Sequence, residues 1–243
     1  MKILSWNILA FEFIEKEYYP NLDYNFLTNR LARIGVIANK IQEANADIIL
    51  LQEVMMDEYF FLKSRFRQFF FSELCHIDWN EKSESGNVIL YRKTKLADCS
   101  SGETKLYESN CCFGQHLCFI SNDQQKIHVF NIHLNDLFHQ KRKAQINSIL
   151  YLLQQYHHVI LGGDFNENYD QNQSLFTIPD YTVHNKNASY YIESFMNIDN
   201  ILTKGFGLAT PHVPVDYTLI PKPELLATFA SDHLPVFTTI LYH

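Results

Sequence analysis

The chain has no apolar run long enough to span a bilayer, and residues 2–9 read as a strand rather than as the uninterrupted apolar stretch of a secretory leader. Stable membrane insertion and secretion are therefore not expected, and the reading is of an intracellular, cytoplasmic protein. Cysteine is sparse: five residues, two of them adjacent at Cys111 and Cys112, with no Cys-x-x-Cys spacing. An odd count without that spacing argues against a disulfide framework and for reduced thiols. A surplus of positive charge is also missing. The formal net charge of -7 speaks against a protein that holds nucleic acid by general electrostatic attraction. It leaves room for a nuclease whose carboxylates gather around a cation, because the phosphate then meets the cation. The one basic run, Lys141, Arg142 and Lys143, reads as a solvated helix face. Asn172 and Asn187 begin Asn-x-Ser triplets, which without a leader are chance matches. Repeats, linkers and composition shifts are absent too, so residues 1–243 are read as one domain, expected to act as a monomer.

What is present is ample material for a core, 47% hydrophobic and 14% aromatic residues. Residues 3–9 form a first expected strand. Thr28 is the expected cap of a helix with Leu31, Ile34, Ile37 and Ile41 at helical spacing, ending near Asn45 before an apolar strand at 47–51. A second helix is expected from Asp57, carrying Phe60, Phe61 and Phe66. Strands follow at 87–92, 116–121 and 126–133, the last two joined by an Asn122-Asp123 turn as a hairpin. A helix at 140–156 then leads into a strand at 158–161. The polar stretch 166–194 reads as a long loop, and final strands are expected at 198–203, 216–220 and 235–241. Helices alternating with buried strands indicate an α/β fold.

The informative feature is where polar residues fall. Asn7 interrupts the first strand, Glu53 closes the second, Asp164 and Asn166 follow the apolar run at 159–161, and Asp232-His233 precedes the last strand. Loops at one edge of an α/β sandwich can bring such residues together, and oxygen donors of this kind suit Mg²⁺ or Mn²⁺ rather than zinc. The adjacent pair His157-His158 is a poor zinc candidate, since neighbouring strand residues point to opposite faces. Each polar residue alone has an ordinary use in capping or turn formation. Together they form an ordered set: Ser5-Trp6-Asn7-Ile8-Leu9, Leu51-Gln52-Glu53-Val54, Asn131-Ile132-His133-Leu134, Gly162-Gly163-Asp164-Phe165-Asn166, Ile198-Asp199-Asn200-Ile201 and Ser231-Asp232-His233-Leu234-Pro235.

With these segments the chain resembles, across residues 6–235, the endonuclease/exonuclease/phosphatase superfamily. That resemblance implies a four-layer α/β sandwich, two packed mixed β-sheets flanked by helices, and a Mg²⁺-dependent (or Mn²⁺-dependent) phosphodiesterase. It implies Asn7, Glu53 and Asp232 on the metal side, with Glu53 the principal carboxylate. Asp164 and Asn166 would contact the phosphate and the attacking water, His233 would be the catalytic histidine oriented by Asp199, and His133 would hydrogen-bond a phosphate oxygen. Asp216 is a rival for the orienting role. The chemistry needs these types: in-line attack by water on a phosphodiester requires charge neutralisation at the equatorial oxygens and a group to take the proton.

Asn7-Ile8-Leu9-Ala10, Tyr19-Pro20, Arg30, Asn45-Ala46-Asp47-Ile48-Ile49, Tyr59 and Gly86-Asn87-Val88-Ile89-Leu90-Tyr91 further resemble the deadenylase branch that includes nocturnin and the Angel proteins. This implies RNA as partner, cleaved from its 3′ end by a 3′-5′ exoribonuclease with aromatic rings stacking bases. A sphingomyelinase or inositol-phosphate phosphatase, a DNA endonuclease, and a non-catalytic binding module are the alternatives. The intact catalytic set disfavours the last.

Overall fold

Strand β2 (Ile48–Val54) shows how the layers arise. Ile48 and Leu50 enter one buried apolar cluster while Ile49 and Leu51 enter another, as the two-residue repeat of a strand requires. The same split separates Ile3 from Leu4 in β1 (Lys2–Asn7). A sheet apolar on both faces must be covered on both, and here a second sheet covers one face and helices the other. The structure is a computed structural model that describes residues 1–19, 22–77, 84–98, 103–121, 124–169, 180–192, 194–208 and 217–241.

The first sheet has the order β13 (Gly207–Leu208), β14 (Val236–Leu241), β1, β2, β5 (Gly86–Arg92) and β3 (Phe69–Phe71), with β4 (Cys75–His76) also on β5. The second has the order β11 (Thr182–Val183), β12 (Asp199–Lys204), β10 (Val159–Asp164), β9 (Lys126–His133), β8 (Cys111–Ser121) and β6 (Leu96–Asp98), with β7 (Thr104–Glu108) also on β8. Both are mixed. The parallel pairs are β1 with β2 and β9 with β10, and each is joined through a helix, α2 (Arg30–Ala44) or α4 (His139–Leu153), as parallel neighbours require. A short α1 (Tyr24–Thr28) precedes α2, α3 (Met56–Arg65) follows β2, and α5 (Lys222–Phe229) precedes β14. Ile34, Ile37, Ile41, Leu62, Leu225 and Phe229 cover the first sheet, and Ile146, Ile149 and Leu153 cover the second. The result is the four-layer α/β sandwich implied by the sequence motifs.

Several local expectations need correction. Asn29, not Thr28, caps α2: its Oδ1 accepts the Ala32 N–H (3.2 Å), while the Thr28 hydroxyl is spent on Tyr24 O within α1 (2.9 Å). Leu31 is 78% exposed, and the buried face of α2 instead holds Arg33, Ile34, Ile37, Ala38 and Ile41. The run expected as a strand at 216–220 forms a 3₁₀ turn at Tyr217–Leu219 and leads to α5, whose N-cap is Pro221 with φ preset for helix entry. Residue 216 and the turn 122–123 lie outside the described residues, though β8 and β9 do pair as a hairpin. Arg142 is not on a solvated face: it donates to Glu167 Oε2 (2.7 Å) with its side chain 12% exposed. Within the stretch expected as a long loop, β11 pairs with β12.

Candidate active site

Register across the second sheet aligns three of the sequence-marked residues. Asp164, the last residue of β10, lies opposite His133 of β9 on one side and Asp199 of β12 on the other. Gly163 makes the close approach possible: it adopts φ +146°, and a Cβ there would sit 1.9 Å from Ile132 O. Asp164 Oδ1 accepts the Asn166 backbone N–H (2.8 Å), and the Asn166 amide donates to Leu134 O (2.9 Å). This hooks the chain back with Asn166 in the left-handed region.

The first sheet contributes from the ends of β1 and β2. Asn7 is buried, and its Nδ2 donates both to Glu53 Oε1 (2.7 Å) and to Asp164 Oδ2 (3.0 Å), so one amide bridges the sheets. Its Oδ1 accepts the Leu9 N–H (3.0 Å), while Ala10 N–H donates to Glu53 Oε2 (2.8 Å). These contacts require a sharp reversal, and Leu9 (φ 60°) and Glu53 (φ 57°) are both left-handed, an unusual state for residues of this size. Below them the sheets are tied by Asn131, whose Nδ2 donates to Leu51 O (2.9 Å) and Val88 O (3.0 Å), and whose Oδ1 accepts from Gln52 (2.7 Å).

The third contribution is the turn before β14. Ser231 Oγ donates to Asn7 O (2.8 Å) and accepts the His233 N–H (3.1 Å), while Trp6 Nε1 donates to His233 O (3.0 Å). His233 Nδ1 donates to Asp199 Oδ2 at 2.8 Å, which leaves Nε2 facing Asp164 Oδ2 (3.7 Å) and Asp232 Oδ1 (4.0 Å). His133 Nε2 approaches the same Asp164 Oδ2 (3.5 Å) and Glu53 Oε1 (3.9 Å). Asp232 Oδ2 accepts from Tyr19 OH (3.1 Å). All eight sequence-marked residues, Asn7, Glu53, His133, Asp164, Asn166, Asp199, Asp232 and His233, thus meet in one cluster. Asp199 holds the imidazole; its rival Asp216 lies outside the described residues.

Burial dominates the electrostatics of the carboxylates. It raises Glu53 to about 7, with Asp232 adding to the effect, and it raises Asp164, with Asp199 adding, and Asp232. The two histidines are driven apart. Burial lowers His133 to about 4, whereas for His233 burial is overcome by Asp199, Asp164 and Asp232, which hold it well above the usual value. Glu53, His133 and Asp164 present atoms within 4.8 Å of one another, and Asp232 Oδ1 is buried without a hydrogen-bond donor. Crowded carboxylates and an orphaned hard oxygen fit a divalent cation.

Sequence reading missed several participants. Tyr19 appeared only as part of a dipeptide resemblance, yet it donates to Asp232. Tyr190 packs edge-on against the His233 ring (5.2 Å between centroids). Ser189 Oγ accepts the Asp199 N–H (2.8 Å), and Asn185 Nδ2 donates to Asp199 O (2.9 Å), so residues 185–190 buttress the orienting acid. Asn131, inside a recognised motif, ties the sheets. An amide inside an otherwise apolar stretch of strand was the available signal for it.

Fold and site together define a divalent-metal-dependent phosphoester hydrolase. Residues 4–233 match the model of the Endonuclease/Exonuclease/phosphatase family, and the chain belongs to that family. Among solved structures it is similar to ANGEL2, a 2′,3′-cyclic phosphatase, with 14% identity and a TM-score of 0.78 over 99% of this chain and 94% of that one. It is also similar to the human nocturnin catalytic domain, with 17% identity, a TM-score of 0.70 and coverage of 99% and 94%. A mannosyl-6-phosphatase from Bacteroides thetaiotaomicron shares 18% identity and a TM-score of 0.69 over 100% of both chains. At such identities the likeness is one of fold. No curated protein sequence matches the chain. No helix among the described residues is long and apolar enough to cross a membrane.

Proposed function

We propose that residues 1–243 act as one catalytic domain, a Mg²⁺-dependent phosphodiesterase that hydrolyses RNA from its 3′ end in the manner of a deadenylase. The observation that carries the chemistry is the convergence on Asp164 Oδ2 of His133 Nε2 (3.5 Å), His233 Nε2 (3.7 Å) and Asn7 Nδ2 (3.0 Å). Support for an RNA substrate comes from exposed aromatic residues near in sequence to the site-bearing strand ends. Phe13 and Tyr18 are exposed on the segment that follows the Asn7 end of β1, and Phe138 on the segment that follows the His133 end of β9. Exposed rings on the segments that follow the site-bearing strand ends suit base stacking. The likeness to nocturnin and to ANGEL2, which has been solved in complex with adenosine-2′,3′-vanadate, points the same way.

In this reading Glu53, with Asp232 and Asn7 beside it, holds the cation, which when bound neutralises phosphoryl oxygens and stabilises the leaving oxygen. Asp164 takes the proton of the attacking water through Oδ2, the oxygen on which His133, His233 and Asn7 converge, while Oδ1 accepts from Asn166. Its raised proton affinity improves it as a base. His233, charged and fixed by Asp199, offers Nε2–H to the phosphate. His133, neutral, donates from Nε2 to a phosphoryl oxygen, and Asn166 adds its second amide hydrogen. Two histidines with opposed proton affinities at one point divide the roles of charge stabiliser and neutral donor.

The test is hydrolysis, with Mg²⁺ or Mn²⁺, of poly(A) RNA, other RNA, duplex DNA with and without an abasic site, sphingomyelin and inositol phosphates. Preference for poly(A) is expected. Cleavage of lipid alone would overturn the substrate assignment.

A further inference from the structure

We infer that Arg33, buried in α2, is a positioning residue that sets the geometry of the metal side of the site by fastening three separate segments that carry its ligands. The inference rests on the reading of Asn7, Glu53 and Asp232 as the metal side, and not on the choice of RNA as substrate.

Arg33 is fully buried, and its partners are specific. Nη1 donates to Ile8 O (2.6 Å) and reaches Ala230 O (3.4 Å); Nη2 donates to Glu58 Oε1 (2.6 Å). Glu58 Oε2 in turn accepts the Met55 backbone N–H (3.1 Å). Each contact falls next to a site residue. Ile8 follows Asn7, Met55 lies two residues beyond Glu53, and Ala230 lies two before Asp232.

Peptide planarity makes the first contact consequential. Ile8 C=O and Leu9 N–H belong to one rigid trans unit, so a guanidinium that holds the oxygen also aims the N–H, which donates to Asn7 Oδ1 (3.0 Å). The next N–H, of Ala10, donates to Glu53 Oε2 (2.8 Å). The three tied segments also contain three of the left-handed residues that are neither Gly nor Asx: Leu9 (φ 60°), Glu53 (φ 57°) and Ala230 (φ 59°). Such conformations persist only where surrounding contacts over-determine them. One planar cation, touching two of these segments directly and the third through the buried acid it pairs with, supplies that constraint. Lysine cannot replace it, because a single ammonium on a flexible stem lacks the fork that spans carbonyl and carboxylate together.

The test compares wild type with Arg33→Lys and with the paired variant Arg33→Met/Glu58→Met, which removes both buried charges and so leaves neither stranded. Two readouts are taken: Mn²⁺ binding to the metal-free protein, by electron paramagnetic resonance, and steady-state hydrolysis of bis(p-nitrophenyl) phosphate. Circular dichroism establishes that the variants are folded. For each folded variant, Mn²⁺ affinity is expected to fall about 10-fold or more, the range seen when groups that orient metal ligands are lost. The loss in turnover is expected in kcat and in the metal half-saturation, with KM for the small substrate little changed. A folded variant of either kind with wild-type Mn²⁺ affinity and kcat overturns the inference. Wild type that binds no Mn²⁺ overturns the metal-side reading and the inference with it.

Discussion

The two parallel strand pairs deliver site residues by different means. In the second sheet, β9 and β10 keep register to their last residues, so that His133, Asp164 and Asp199 stand in a row across adjacent strands. In the first sheet, register between β2 and β5 shifts between Leu51 and Val54, and Glu53 and Leu9 are left-handed. There the side chains proposed as ligands follow turns, and the buried Arg33–Glu58 pair hydrogen-bonds to the backbone beside those turns. One half of the site is placed by ladder geometry, which needs only a regular sheet and a glycine. The other is placed by strained backbone, which needs a dedicated buried partner. The bridge between them is narrow: Asn7 Nδ2 touches Glu53 from one half and Asp164 from the other.

The comparison can be broken most sharply at its two carboxylates. Glu53→Ala and Asp164→Ala are each expected to lower turnover by about 10³-fold or more while the protein stays folded, measured as steady-state hydrolysis with Mg²⁺. Full activity in one of them would mean that its half of the site is dispensable. Gly163→Ala probes the ladder itself. The added Cβ meets Ile132 O at 1.9 Å, so a loss of about 3 kcal/mol or more in urea unfolding is expected; an unchanged midpoint would show that β9 and β10 can part without cost. Asp199→Asn leaves the row in place but cannot hold His233 as a cation, and kcat is expected to fall about 10²-fold with little change in unfolding midpoint.

The smallest expected effect separates the sheets by pH. His116 of β8 and His128 of β9 meet at 3.0 Å, and both are lowered to about 4, His116 by burial and then His128, His128 by burial and then Lys126. A histidine whose folded-state value lies below its unfolded one contributes stability that is complete above about pH 6.5 and is lost as pH falls from there toward 4. The contribution of this pair, read as the difference between wild type and His116→Phe/His128→Phe, should therefore fall by on the order of 2 kcal/mol between pH 7 and pH 5. Hydrogen exchange should show β8 and β9 losing protection before β1 and β2. Equal protection in both sheets across that range would remove the distinction.

What could be read from the sequence divides along the same line. Asp164 was legible because it follows an apolar strand, where a polar residue is conspicuous, whereas His133 and Asp199 were legible only through the ordered motifs that carry the family resemblance. Asn7, Glu53 and the Asp232-His233 pair were legible as polar residues at strand ends, while the packed sheets followed from the family resemblance and the helix–strand alternation indicated only an α/β fold. Arg33 was not legible. An arginine inside a helix ordinarily reads as surface charge, and its acceptors lie 25 and 197 residues away in the chain. Tyr19 and Tyr190 were equally silent, since an aromatic residue in a loop gives no periodic signal. Helix α5 was missed because the apolar residues Tyr217, Leu219 and Ile220 resemble a strand, while Pro221, the helix entry, reads equally well as a stop.

The central claim is that Glu53, with Asp232 and Asn7 beside it, holds one divalent cation where the two halves of the site meet. Anomalous diffraction from crystals soaked in Mn²⁺ tests it directly. A single strong peak in contact with Glu53, with Asp164 and Asp232 alongside, is the predicted result; a peak bound elsewhere, or none at this cluster, would contradict it.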